Sequence, residues 1–188
     1  MKIKNEVLIK RPIDEVWAAI SDIPRVARCA PGAELIESRS DDTHVGTIGV
    51  RLGPVALKFK GIVQFVERDE AGYRIVAKAQ GNEEKARGNA NADVVFALTP
   101  ADGGTRISVD SDIQLAGAIA QYGRGTALIQ GTAQALMTQF AKNLEASLSD
   151  PDSAQAGASK EIGLTSTLAK GIWNAGAGML RRGDPDKA

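Results

Sequence analysis

The segment TALIQGTAQALMTQFAKNLEASL, Thr126 to Leu148, is where the chain abandons the period of two that governs most of what precedes it. Ile129, Leu136, Phe140, Leu144 and Leu148 line one side at helical spacing, with Ala133 and Met137 beside them. Gln130, Gln134, Lys142, Asn143 and Glu145 spread over the rest. At 1.5 Å per residue such a helix spans roughly 34 Å, enough to lie across a sheet. Working back towards the N-terminus, Thr105 to Leu115, Ala86 to Thr99 and Tyr73 to Gln80 alternate as strands. A longer strand starts at Pro54, with Val55, Leu57, Phe59, Val63 and Phe65 on one face and Lys58, Lys60 and Gln64 on the other. His44 to Leu52 and Ala33 to Ser38 precede it. The turns are Asp41-Asp42, Asp69 to Gly72, Gly81 to Glu84 and Pro100 to Gly104. Strands joined by short turns make an antiparallel meander.

The N-terminal stretch completes the pattern. Lys2 to Lys10 alternates, with Ile3, Val7 and Ile9 on one face. Pro12 and the acidic Asp14 and Glu15 open a short helix whose Ile13, Val16, Trp17 and Ile20 share a side. Pro24 opens a second helical turn, closed by Cys29-Ala30-Pro31-Gly32. The order is strand, two small helices, a run of strands, one long helix. That predicts an α+β fold in which a curved antiparallel sheet wraps one long C-terminal helix.

Composition limits the function. The length suits one domain plus a tail, and 43% hydrophobic residues support a core. With 23 basic and 23 acidic residues there is no basic field for nucleic acid. Cys29 is the only cysteine, which excludes an intrachain disulfide and is compatible with a reducing cytoplasm. Met1 to Glu6 lacks the apolar stretch of a secretory signal, and no apolar run approaches the ~20 residues of a spanning helix. The expected location is cytoplasmic, peripheral on the inner face of the membrane.

The peripheral part of that expectation comes from the tail. Residues 1–148 read as the domain, 149–160 as a linker, 161–182 as an amphipathic segment binding membrane or a partner, and 183–188 as a disordered end. Within EIGLTSTLAKGIWNAGAGMLRR, Leu164, Leu168, Ile172 and Met179 fall on one helical side with Trp173 and Leu180 at its margin. Lys170, Arg181 and Arg182 supply positive charge, and residues 160–182 are net positive by three. Three glycines, Gly171, Gly176 and Gly178, cost about 1 kcal/mol each in a helix, so this segment favours a surface that helps it form. The alternative is a helix docked on its own domain.

One face of the later strands is small. Ala77 and Ala79 align, as do Ala86, Gly88, Ala90 and Ala92, with Val94, Phe96 and Leu98 continuing that face. The helix region opposite carries Gly123, Gly125, Gly131 and Ala133 before Leu136 and Phe140. Such faces either pack backbone to backbone or enclose an apolar cleft, expected near Gly123 to Ala133. The candidate ligand-binding residues are Phe59, Ala77, Ala79, Ala90, Ala92, Val94, Phe96, Ser111, Tyr122, Ala133, Leu136, Met137 and Phe140.

Catalytic signatures do not assemble. His44 is the only histidine and reads as a surface or packing residue; with one His and one Cys, a zinc site of the usual kind cannot form. Cys29 below Arg28 reads as a small buried hydrophobe rather than an activated thiolate. Neither Gly46-Thr47-Ile48-Gly49 nor Gly123-Arg124-Gly125 matches a phosphate-binding loop. No catalytic residue and no metal ligand is assigned.

Several motifs resemble a known family. Pro12-Ile13-Asp14-Glu15-Val16-Trp17, Ile20-Ser21-Asp22 and Cys29-Ala30-Pro31-Gly32-Ala33 look like the opening of the START-like helix-grip (SRPBCC, Bet v 1-like) superfamily. More narrowly they resemble the CoxG family, named for the G subunit of carbon monoxide dehydrogenase. The likeness continues in Gly53-Pro54-Val55, Gly61, Gly103-Gly104-Thr105-Arg106, Ile129-Gln130-Gly131-Thr132-Ala133 and Gln139-Phe140, over about residues 1 to 148. Gly125-Thr126-Ala127 departs from the bulkier, more basic helix start of that family. The resemblance implies a hydrophobic cavity between sheet and helix, no fixed catalytic machinery and no covalently bound cofactor. It also implies association with molybdenum-containing carbon monoxide dehydrogenases or related hydroxylases, through membrane recruitment or transfer of reducing equivalents to a quinone. The expected function is therefore a non-catalytic protein binding a quinone or lipid, with a cyclase- or hydratase-like enzyme and a pure assembly factor as alternatives.

Overall fold

The computed structural model describes residues 1–39, 42–124 and 126–149. The expected linker, the amphipathic segment with Leu164, Leu168, Lys170, Ile172, Trp173, Met179, Leu180, Arg181 and Arg182, and the C-terminal end lie outside them.

Seven strands form one antiparallel sheet: β1 Lys2–Ile9, β2 Ala33–Ser38, β3 Thr43–Leu52, β4 Val55–Asp69, β5 Arg74–Glu83, β6 Gly88–Ala101 and β7 Gly104–Gly117. Their order is β1-β7-β6-β5-β4-β3-β2, so β1 and β2 are the edges. Between them in sequence lie the helices α1, Ile13–Ser21, and α2, Ile23–Cys29. A 3₁₀ segment, Ala118–Arg124, leads into the long helix α3, Thr126–Ser149. The α+β reading and the meander are as expected. One turn differs. β5 continues through Gly81 to Glu83, and the chain reverses over the following residues, where Ala86 takes φ 56°. Ala86 is therefore an exposed turn residue rather than part of the small inner face. The reason is Glu83, whose carboxylate accepts the main-chain N–H groups of Lys85 at 2.9 Å and Arg87 at 3.3 Å and so holds the turn.

Local chemistry explains the helices. Asp22 caps α2 by accepting the Arg25 N–H at 3.1 Å, with Pro24 in the first turn. Asp14 and Glu15 sit in the first turn of α1, whose Val16, Ala19 and Ile20 are buried. They join Ile9, Ile75, Leu98, Ile107 and the α3 residues Ala141 and Leu144 in one core cluster. A second cluster, Ile3, Leu52, Leu57, Ile119 and Ile129, closes the other end of α3.

α3 packs Ala141 and Leu144 against Ile75, Leu98 and Ile107 of β5, β6 and β7, so the sheet grips the helix as expected. The helix runs beside the edge strand β1, and its glutamines hold it there. Gln130 Nε2 donates to the Lys4 carbonyl at 3.1 Å and Gln134 Nε2 to the Glu6 carbonyl at 3.3 Å. Asn5 Nδ2 donates to Gln134 Oε1 at 2.8 Å, and Glu145 accepts the Lys10 N–H at 2.7 Å. An edge strand leaves main-chain groups unpaired, and these side chains pair them. The far side of the sheet curls over to meet α3 only near its start, where Thr132 Oγ1 lies 3.4 Å from the Arg51 carbonyl. The inner face around Gly46, Gly61 and Gly81 is left to α2 and to open space.

Candidate functional site

That open space is an apolar cavity of about 370 Å³. Antiparallel register sets its floor. One transverse row runs Leu35, Gly46, Gly61, Gly81, Ala90, Leu115, and the next His44, Val63, Ala79, Ala92, Ile113. Three glycines side by side on neighbouring strands remove all side chains from the centre of the sheet. Gly61 serves curvature as well, since a Cβ there would collide with the Gln80 carbonyl oxygen, and one on Gly46 would press on the Glu34 carbonyl. The walls are Phe59, Phe65, Ile48 and Val63, and the roof is α2 through Ile23, Val26 and Ala27, with Ala30 just past its end. Ile48 and Val63 face inward yet are 38% and 37% exposed, so the cavity opens to solvent.

Of the expected ligand-binding residues, Phe59, Ala79, Ala90 and Ala92 line this cavity. Ala77 lies buried on the same face, one position along. Val94, Phe96, Met137 and Phe140 pack against the first core cluster, and Tyr122 and Ala133 against the second. Ser111 and Leu136 are half-buried outside the lining. The cavity lies over β2 to β6 rather than near Gly123 to Ala133, because Ile129 and Ala133 at the start of α3 are packed against Ile3, Leu52, Leu57 and Ile119. Sequence reading missed the glycines and the α2 roof. It also missed His44, although the alternation of His44, Gly46, Ile48, Val50 and Leu52 places all five on one face.

His44 is held in the cavity wall. Its Nδ1 is 3.0 Å from Ser38 Oγ, and its ring meets the Phe65 ring edge-on at 5.5 Å. The Arg68 guanidinium stacks 4.8 Å from the Phe65 centroid while pairing with Asp42 at 3.3 Å. Polar groups elsewhere are structural. Arg87 donates to Glu83 at 2.7 Å and to the Ala56 carbonyl at 2.8 Å. The hydrogen bond from the Arg87 side chain is the main reason the Glu83 carboxyl is lowered to about 2, against the opposing effect of burial. Tyr73 donates to Asp14 at 2.5 Å, a bond that raises the phenol, and its ring meets Trp17 edge-on at 5.6 Å. Cys29 is 1% exposed and 3.7 Å from Ser147 Oγ. Burial pushes its thiol up despite nearby Arg25 and Arg28, so it is a core residue and not a thiolate nucleophile. Among the described residues no three His, Cys, Asp or Glu side chains converge as a metal site, and no helix is long and apolar enough to cross a membrane.

Residues 6–149 match the CoxG family, described as the G subunit of carbon monoxide dehydrogenase. No curated protein matches the sequence. Solved structures share the fold. A conserved protein from Geobacillus kaustophilus has a TM-score of 0.68 at 21% identity, covering 79% of this chain and 95% of its own. A protein from Thermus thermophilus gives 0.56 at 12%, covering 78% and 99%. The ZhuI aromatase/cyclase from Streptomyces sp. R1128 gives 0.55 at 12%, covering 79% and 93%. At these identities the likeness shows the helix-grip fold alone.

Proposed function

The chain belongs to the CoxG family of carbon monoxide dehydrogenase G subunits, and from that membership we propose that it is a non-catalytic accessory protein of a molybdenum carbon monoxide dehydrogenase or related hydroxylase. In this reading the cavity receives an isoprenoid quinone or similar lipid, and the C-terminal segment brings the domain to the inner face of the cytoplasmic membrane. The observation that carries it is the cavity itself, open at Ile48 and Val63 and floored by Gly46, Gly61, Gly81 and alanines. Such a space offers apolar contact along its length and gives an apolar chain a way in from solvent. An acid–base enzyme would be expected to bring paired titratable groups to the reacting atoms, and here the one buried carboxylate among the described residues, Glu83, is tied up by Arg87. The test is native mass spectrometry of the full chain purified from its own cells without detergent, followed by solvent extraction. Co-purifying quinone or lipid at near one per chain supports the reading; a chain that comes through empty, and stays empty after incubation with quinone-containing liposomes, overturns it. Turnover of an added polyketide-like or other apolar substrate would replace it with the enzyme alternative.

A further inference from the structure

We propose that Gly81 determines which ligands the cavity accepts: the bare floor it leaves beside Phe59 seats a flat, uncharged fused ring, and a side chain at that position turns such a ring away. This rests on the cavity being a ligand site, as argued above, and says which part of an apolar ligand it recognises. The glycines of the central row are there for different reasons. An added Cβ on Gly61 would run into the Gln80 carbonyl oxygen, and one on Gly46 into the Glu34 carbonyl oxygen, so the approach of main chain to main chain requires both. Nothing of the kind applies at Gly81. An added Cβ there would first meet Phe59 Cβ at 3.4 Å, then the Lys60 carbonyl oxygen at 3.7 Å and Phe59 Cδ1 at 3.8 Å, all ordinary van der Waals contacts. Nor does Gly81 adopt the positive φ that Gly32, Gly53 and Gly88 do. The fold accepts an alanine at this position, and the reason for glycine lies in the space above it.

That space is shaped for a plate. Gly81 and Ala79 of β5 stand opposite Ala90 and Ala92 of β6, four adjoining inner positions that carry no more than a methyl each. All four are half-buried and line the cavity, so no other element packs them shut. With strands about 4.8 Å apart and alternate residues about 6.8 Å apart along them, the four positions outline a patch the size of a two-ring system. Phe59 borders that patch beside Gly81, where its ring can meet the edge or face of a bound ring. The α2 side chains Val26 and Ala27 close the space on the opposite side. The described lining presents no carboxylate inward: Glu34 lies one residue from the inward-facing Leu35 and meets Thr47 Oγ1 at 3.4 Å on the other face. His44 is engaged at Nδ1 by Ser38. Selection therefore rests on shape. A methyl added to the floor lifts a rigid plate against the roof, whereas a saturated chain bends around it.

The experiment is calorimetric titration of the full chain with 2,3-dimethyl-1,4-naphthoquinone, a rigid plate, and 1-decanol, a flexible chain. Gly81→Ala is expected to fold with a urea midpoint close to that of wild type, to bind the naphthoquinone at least about tenfold more weakly, and to keep decanol within about twofold. Ala90→Val adds bulk to the same patch from the next strand and should act in the same direction. Equal losses for both probes, a naphthoquinone affinity unchanged in Gly81→Ala, or a wild type that takes decanol alone overturns the ring subsite and leaves the cavity reading standing. A Gly81→Ala chain that fails to fold overturns it as well, because the glycine is then a packing requirement. Binding of neither probe by folded wild type overturns the cavity reading and the ring subsite with it.

Discussion

A glycine in the middle of a strand ordinarily weakens it, so the three in register at Gly46, Gly61 and Gly81 must be retained for what their missing side chains permit. At Gly61 the reason is steric: a methyl group would collide with the Gln80 carbonyl, a backbone atom that cannot turn aside. Gly61→Ala should therefore lower stability by roughly 2 kcal/mol or more, read as a fall in the urea midpoint at unchanged slope. Gly131 is the internal control. It lies within α3 with nothing within 4 Å of an added Cβ, so Gly131→Ala should raise stability by up to about 1 kcal/mol through helix propensity alone. Opposite signs are expected, and a Gly61→Ala protein as stable as wild type would show that the sheet bend is not built on that residue. Glu83 makes a pH-dependent contribution of definite sign. Its carboxyl titrates at about 2 in the folded chain, below its ordinary 4.5, so the stability it contributes is present above about 4.5 and is lost as the pH falls towards 2. Glu83→Gln should be less stable than wild type at pH 7, and the gap should close on acidification across that window in urea titrations. A gap that stays constant with pH would mean the Arg87 pair contributes only its neutral hydrogen bonds.

At the scale of elements, the strand and helix order could be read from the chain because each segment keeps one period and one buried face. Ile13, Val16, Trp17 and Ile20 all contribute to the core as their spacing predicts. The position of the cavity could not be read in the same way. It depends on how α2 and α3 share the inner face of the sheet, and α3 is tied to its edge in part by Gln130 and Gln134, polar residues that periodicity assigns to the solvent side. Their amides instead satisfy the Lys4 and Glu6 carbonyls of the open edge of β1, a need that exists only once the sheet order is known. Likewise the alternation of β3 was legible, but the meeting of Gly46, Gly61 and Gly81 required the register across three strands. The C-terminal end of α3 is already anchored within the domain, by Asn143 to the Cys29 carbonyl at 2.8 Å and by Arg11 to Ser149 at 2.7 Å. Removal of residues 150–188 should therefore leave the thermal midpoint within about 2 °C of the full chain. A loss of several degrees would mean that the amphipathic segment docks on the domain and is a structural helix.

For the whole molecule, zero formal net charge gives no long-range attraction to an anionic surface, so the proposed attachment is expected to depend on the C-terminal segment. Leu164, Leu168, Ile172, Trp173 and Met179 provide apolar area, and Lys170, Arg181 and Arg182 provide local positive charge. At about 0.8 kcal/mol per buried CH₂, burial of three large aliphatic side chains and one indole would outweigh the cost of three glycines and would hold the domain reversibly in the proposed role. Reversibility matters to the proposed role, since a carrier that fills at the bilayer and empties at an enzyme must leave the surface. Leu168→Glu with Ile172→Glu should abolish co-sedimentation of the full chain with liposomes containing an anionic lipid. Lys170→Glu with Arg181→Glu should weaken it chiefly at low salt, because exposed charges further apart than about 10 Å are screened at 0.1 M. The two pairs separate apolar insertion from charge attraction, and binding of a soluble quinone in the cavity should be unchanged in both. Wild-type protein that ignores such liposomes yet is retained by the purified dehydrogenase through the same four residues would make this segment a helix-in-groove docking element instead.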